Sequence, residues 1–278
     1  MEHIIKPNST IENKMKTECP YKDYLFGEKY IRYGGYNPET FSLTETLNFF
    51  AKRYVIPLSK EVDISNIKLC DCACGYGWFT LAFLLMGGGS NVSEPVVCMD
   101  LDSTRGEIIN DFAKIYGLNN KIKFIAGDLS ALPFENKKFD VFVSIETLEH
   151  VPQKLRNKAL REISRVSEYQ LITTPNKLWP IDYHDRQMPF KHWFDGRFLN
   201  QFQVIKHLNA ELLTNVYCFN SWEELESIYP LYWPYPGQLK NLSKFSTLPF
   251  KLLSYFSEKG VQYVMPQIQG IYRNATKK

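Results

Sequence analysis

Acidic residues stand at the ends of three short apolar runs in this chain. Asp71 heads the segment Asp71-Cys72-Ala73-Cys74-Gly75-Tyr76-Gly77, Asp100 closes Val96 to Met99, and Gly127-Asp128 follows Lys121 to Ala126. A carboxylate at such a point is an acceptor: Asp100 can take both hydroxyls of a ribose, and Asp128 can accept from an exocyclic amine. Glycines at 75 and 77 let the backbone approach a ligand closely, so a small molecule is expected over them, although a plain tight turn would read the same from the pair alone. A dinucleotide fingerprint fails because Thr80 stands where the third glycine of G-x-G-x-x-G is required, and no G-K-[ST] follows Gly77. The spacing suits a nucleoside without a phosphate tail.

Strands alternating with helices would bring these groups together. Ile67 to Cys72, Val96 to Met99, Lys121 to Ala126, Phe139 to Ser144 and Tyr169 to Thr173 read as buried strands. Helices are expected over Trp78 to Met86, Arg105 to Tyr116 with Gly117 as its stop, and Gln153 to Val166. That order argues for an α/β fold with a Rossmann-like open, mostly parallel seven-stranded sheet covered by helices on both faces. Phe41, Leu43, Leu47, Phe50 and Tyr54 recur at helical spacing, which predicts an N-terminal helical cap over Glu39 to Tyr54. A last strand near Gln267 to Tyr272 would close the sheet; the sixth strand has no clear place in a loop-rich C-terminal region. The expected organisation is a cap over 1–65, a ligand-binding core over 66–200 and an acceptor-side region over 201–278.

With 44% hydrophobic and 23% charged residues, the chain of 278 has the balance of an ordinary globular protein. A net charge of +3 with scattered basic residues lacks the footprint of a dedicated nucleic-acid binder. Met1 to Lys16 shows no basic segment followed by an apolar one, and Trp78 to Met86 is far shorter than the ~20 residues of a membrane span. A cytoplasmic protein without a transmembrane segment is expected. Cys70, Cys72 and Cys74 alternate, which on a strand places all three on one face as reduced core thiols, and neither a metal site nor a disulfide set is expected.

The chain resembles the class I S-adenosylmethionine-dependent methyltransferases between about Leu69 and Pro175. The resemblance rests on Asp71-x-Ala73-x-Gly75-x-Gly77, Met99-Asp100-Leu101-Asp102, Ala126-Gly127-Asp128-Leu129 and the run Phe139 to Val151, whose Leu-Glu-His-Val ending is similar to ubiquinone-type O-methyltransferases of the small-molecule and lipid branch. It implies S-adenosylmethionine as cofactor. Asp71 and the loop Ala73 to Gly77 would face its methionine part, Asp100 the ribose, Asp128 and Leu129 the adenine, and Ile145 the ring or sulfonium side, with Leu101 counted among the cofactor-binding positions. Arg32 or Tyr33 stands where relatives use an arginine for the cofactor carboxylate. Ala73 departs from the usual first glycine, and residues 87–95 lengthen the link from Asp71 to Asp100.

Methyl transfer from a sulfonium is an in-line displacement, so positioning supplies most of the catalysis, and an oxygen acceptor also needs its proton removed. His150, after the fourth strand, and His184, in the polar loop Pro180 to Asp185, are the candidate bases. His192 beside Trp193 reads more readily as packed on aromatic neighbours. Glu149-His150 could equally anchor the helix after Pro152. Lys154, Arg156, Lys158, Arg161 and Arg165 read as the solvated face of one helix. The Tyr/Trp/Pro segment from Ile228 to Pro236 can line an apolar acceptor pocket, rest peripherally on a membrane, or pack in the core. Ser144-Ile145-Glu146-Thr147 is not the Asn/Asp-Pro-Pro-Tyr/Phe of amino-methylating nucleic-acid enzymes, and Asp182 with Asp185 is too thin for a metal-dependent enzyme. The expected reaction is methyl transfer to a hydroxyl, or an amine, of a small metabolite, sugar or lipid-linked acceptor. A protein or RNA methyltransferase, and a non-catalytic cofactor sensor or scaffold, stay open at this point, as does oligomeric state.

Overall fold

The structure is a computed structural model that describes residues 4–6, 9–10, 42–178, 192–195, 198–215 and 267–275. Helix α1 (Leu43–Phe50) opens where the Ser42 hydroxyl accepts from Glu45 N at 3.2 Å. The expected cap helix does not stop at Tyr54. It continues through a π-helical turn over Ala51–Val55, where Ile56 N donates to Ala51 O, into α2 (Ile56–Glu61). Pro57 explains the irregularity: it has no N–H and its ring crowds the preceding turn, and one extra residue in the ladder absorbs both. Leu43, Leu47, Tyr54 and Leu58 are wholly buried.

Strands β1 (Leu69–Cys72), β2 (Val96–Asp100), β3 (Ile122–Ala126), β4 (Phe139–Ile145) and β5 (Ser167–Pro175) alternate with helices α3 (Trp78–Leu85), α4 (Arg105–Ile115) and α5 (Gln153–Val166). After a helical turn over His192–Asp195 come α6 (Gln201–Leu208), β6 (Ala210–Asn215) and β7 (Gln267–Asn274). Among the described residues these make a seven-stranded sheet in the order β3-β2-β1-β4-β5-β7-β6. The first five strands run parallel, and β7 pairs antiparallel with both β5 and β6. The last strand therefore lies inside the sheet, between β5 and β6, instead of closing its edge. The unplaced sixth strand is that edge, and α6 before it carries a capping box of Asn200 and Gln203 that N-x-x-Q already spelled out.

Side chains alternate between two cores, as a strand's period of two requires. Leu69, Cys98, Val141, Val143 and Leu171 join Leu47, Tyr54, Phe79, Phe83 and Phe112 on one side. Cys70, Cys72, Met99, Phe142 and Ile172 join Leu160, Ile163, Val204 and Leu208 on the other. Each aliphatic side chain fully buried this way contributes about 1.5–3 kcal/mol. Cys74 leaves the expected cysteine face: β1 ends at Cys72, Ala73 turns left-handed at φ 54°, and Cys74 packs on the first core against Cys98. The thiols of residues 70, 72, 74 and 98 are free.

Beside its ladders with β5 and β6, the end of β7 is tied down by one side chain. Asn274 Nδ2 donates to the carbonyls of Ser164 (2.9 Å) and Ser167 (2.7 Å), and Oδ1 accepts from Ser164 Oγ (2.9 Å) and Gln170 Nε2 (3.1 Å). The Asn274→Ala variant leaves these polar groups without that partner and is expected to lose about 1–3 kcal/mol, read as a lower urea midpoint at unchanged m-value.

Candidate functional site

The strand order reverses between β1 and β4, and the crevice outside their carboxyl ends is where an open parallel sheet takes a ligand. Here β1 runs into a loop with left-handed residues at Ala73 (φ 54°), Gly75 (54°) and Gly77 (75°). Gly77 starts α3, and a Cβ there would lie 3.2 Å from Ile109 Cγ1, so glycine is needed for backbone conformation and packing alike. A Cβ added at Gly75 would meet nothing within 4 Å. The backbone at Gly75 thus faces open space, which is what close approach by a ligand demands.

Asp100, at the end of β2, ties the neighbouring loops together. Its Oδ2 accepts from Gly75 N (2.9 Å), its Oδ1 from Asp102 N (3.0 Å), and its carbonyl from Gly127 N (2.9 Å). Asp102 pairs with Arg105 Nε at 3.3 Å, and the Arg105 guanidinium lies 4.4 Å from the centre of the Tyr76 ring, clamping the loop from α4. Leu101 follows with 79% of its surface exposed, an apolar side chain held in the open beside Asp100. Asp128 is exposed with Oδ1 accepting from Ser130 N (2.7 Å), and Leu129 next to it is buried.

Asp71 sits beneath this surface. Its carboxylate is buried and accepts from Thr80 Oγ1 at 2.7 Å, so it fastens the root of the loop to α3. Burial raises its pKa to about 7, against the opposing effect of the Thr80 hydrogen bond, and the nearby Asp100 charge raises it further.

Across the crevice, β4 ends in the partly buried Ile145, and the chain turns at Glu146 in a left-handed conformation, φ 49°. Glu146 N donates to Thr173 O and Oγ1, each at 3.0 Å, and Thr173 Oγ1 donates to Glu146 Oε1 at 2.7 Å. Glu149 is buried, with Oε2 accepting from Thr174 Oγ1 (3.0 Å). Burial raises the pKa of both carboxyls, that of Glu149 further because Glu146 is close, and Arg53 of the π turn opposes the rise at Glu146.

Of the candidate bases, His150 has a side chain 69% exposed with Nε2 4.0 Å from Glu149 Oε1. Loss of hydration and then the Arg156 charge lower its pKa. His184, Arg32, Tyr33, Asp182, Asp185 and the segment 228–236 lie outside the described residues; His192 opens its short helical turn. The site thus brings together Gly75, Asp100, Leu101 and Asp128 on one side and Ile145 on the other. Sequence reasoning passed over Glu146, Arg53 and Thr173 as chemistry, although the spacing Glu146-x-x-Glu149 was there to be read.

The basic helix departs from expectation. Arg156 is buried and donates through Nε to Val151 O (2.8 Å) and through Nη2 to Glu149 O (3.2 Å). Arg165 donates to Glu162, Leu132 O and Phe134 O. Both guanidiniums satisfy carbonyls that the loops leave open, so only Lys154, Lys158 and Arg161 remain exposed.

The profile of a family described as a methyltransferase domain matches residues 69–169. A sterol 4-C-methyltransferase of Caenorhabditis elegans is 26% identical over 125 residues, 42% of this chain and 35% of the worm protein. A chloroplastic tocopherol O-methyltransferase of Arabidopsis thaliana is 30% identical over 100 residues, 36% of this chain and 27% of the plant protein. The chain spans less than half the length of these two relatives. In structure it is similar to a putative sarcosine dimethylglycine methyltransferase from Galdieria sulphuraria, with a TM-score of 0.52 at 15% identity over 84% of this chain and 88% of that one, a likeness of fold.

The Asp71 carboxyl makes stability depend on pH. Its folded value of about 7 lies above the ordinary 3.8, so the folded state holds this proton more tightly than the unfolded one. The contribution is therefore full below the unfolded value and is lost as pH rises toward the folded one. Asp71→Asn keeps an acceptor for Thr80 and is expected to flatten the fall in melting temperature between those pH values; an unchanged slope would place the titration elsewhere.

Proposed function

We propose that this chain, which carries a class I S-adenosylmethionine-dependent methyltransferase domain over residues 69–169, transfers a methyl group to a hydroxyl, or an amine, of a small metabolite, sugar or lipid-linked acceptor. The observation that carries the reading is the convergence of Gly75, Asp100 and Asp128 at the carboxyl ends of three adjacent strands within that domain. The open space above Gly75 fits close approach by the methionine part of the cofactor, with the buried Asp71 securing the loop from below. Asp100 would hold the ribose hydroxyls, Leu101 and Leu129 would offer apolar contact to the adenine, and Asp128 would accept from its amino group.

Bound S-adenosylmethionine supplies an electrophilic methyl group on a sulfonium. The chain's share is to hold an acceptor in line with it at the crevice between β1 and β4 and to keep water out. A small, largely apolar acceptor is in keeping with the sterol and tocopherol named for the two relatives. A protein or RNA acceptor finds less support, because the inward turn of Arg156 and Arg165 thins the basic face of α5.

The test is calorimetric titration with S-adenosylmethionine and S-adenosylhomocysteine, followed by transfer of a labelled methyl group to a panel holding γ-tocopherol, a sterol and simple amines. Micromolar binding and labelled product are expected. Asp100→Asn should weaken binding by roughly 10–100-fold, the equivalent of a charged hydrogen bond worth about 1.5–3 kcal/mol, with a modest fall in melting temperature because one of the two amides loses its acceptor. Absence of binding to either compound would overturn the reading.

A further inference from the structure

We infer that Glu146 is the catalytic base that takes the acceptor's proton; the inference rests on the methyl-transfer reading above. Glu146 is the first residue beyond β4, and β4 pairs with β1 in parallel, Val143 opposite Asp71. The end of β4 therefore lies level with the loop that begins at Ala73. A carboxylate here flanks the place where the cofactor's methyl group would be presented.

Its geometry is over-determined in a way a solvent-facing glutamate does not need. A non-glycine residue at φ 49° is unfavourable by itself, and the three hydrogen bonds to the buried Thr173 hold it there. Thr173 Oγ1 fixes Oε1, so the carboxylate is aimed as well as located. Arg53, buried in the π turn with its guanidinium 5.3 Å from the centre of the Phe49 ring and 5.5 Å from that of Tyr54, is the cation whose charge favours the Glu146 carboxylate. His150 is the weaker candidate: it stands four residues further on, with most of its side chain in solvent.

The step balances without another reactant. A lone pair of the acceptor oxygen forms the new C–O bond, the C–S bond breaks with its pair left on sulfur, and the O–H proton passes to the Glu146 carboxylate and then to water. The charged groups facing Glu146 and its neighbour are Arg53 from the π turn, Glu149 and His150 from the same turn, and Arg156 from α5. Burial favours the protonated acid of Glu146, while the Thr173 hydrogen bond and then Arg53 favour the carboxylate, a balance that brings a weak base nearer to working pH.

Two measurements on the full chain test this. In protein labelled with [δ-13C]glutamate, the Glu146 signal, assigned by its absence in Glu146→Gln, is expected to titrate above the ordinary glutamate range and to move further up in Arg53→Met. Both variants should bind S-adenosylhomocysteine within threefold of the parent. A midpoint in the ordinary range overturns the inference, and this arm decides whether or not γ-tocopherol is turned over. With γ-tocopherol as acceptor, Glu146→Gln is expected to lower kcat by roughly 10²–10⁴-fold at unchanged KM for S-adenosylmethionine and to abolish the acid limb of the pH profile. A kcat within threefold of the parent overturns it. So does parental activity that a chelator abolishes and magnesium restores, which would make Glu146 a metal ligand. Failure of the parent chain to bind S-adenosylhomocysteine would instead sink the methyl-transfer reading beneath it.

Discussion

One residue, Asp100, connects three loops at the carboxyl edge of this sheet. Backbone amides at the ends of parallel strands have no ladder partner, and each left unpaired near the protein's interior costs about as much as a lost hydrogen bond. Asp100 answers that demand for Gly75 and Asp102 with its two oxygens, and its carbonyl does the same for Gly127. The loops after β1, β2 and β3 are thereby set against one another before any ligand arrives. Asp71 and Thr80 secure the first of them from below, and Arg105 presses on Tyr76 from α4. The crevice is rigid because polar groups at its floor have few alternative partners.

The opposite wall is built on different physics. There the chain accepts unfavourable local states: a π turn forced by Pro57, a left-handed Glu146, and two glutamates drawn into an environment that resists their ionisation. Each costs folding energy, and each is held by neighbours that would otherwise be unsatisfied, notably Thr173, Thr174 and the inward-turned Arg156. A buried guanidinium that donates to carbonyls on the same loop as two carboxyls lowers their mutual repulsion without neutralising them.

Strand and helix assignments in the core were legible because period and composition agreed there. Val96 to Met99 and Val141 to Val143 are continuous apolar runs, as strands covered on both faces must be, and Gln153 to Val166 is amphipathic along its whole length. Ala210 to Asn215 escaped notice because it is an edge strand whose alternation is broken by a register shift between Leu212 and Thr214. The position of β7 between β5 and β6 was not read, since it depends on pairing with strands far away in the chain, to which the Asn274 bonds to Ser164, Ser167 and Gln170 add.

By itself the sequence determined the kind of site: acidic residues closing strands, glycines where a ligand approaches, and the spacing between them, all of which are local matters of residue type and period. Tertiary structure alone decided what each charge does. Asp71 and Asp100 are alike in sequence, yet one is a buried anchor near neutrality and the other a bridge between loops, because one side chain points to α3 and the other to the crevice. Arg156 and Lys154 share a helix, yet burial turns the first inward to carbonyls and leaves the second in water. Charge is written in the residue, but its energy depends on the neighbours and solvent around it, and those are assigned only when distant segments meet.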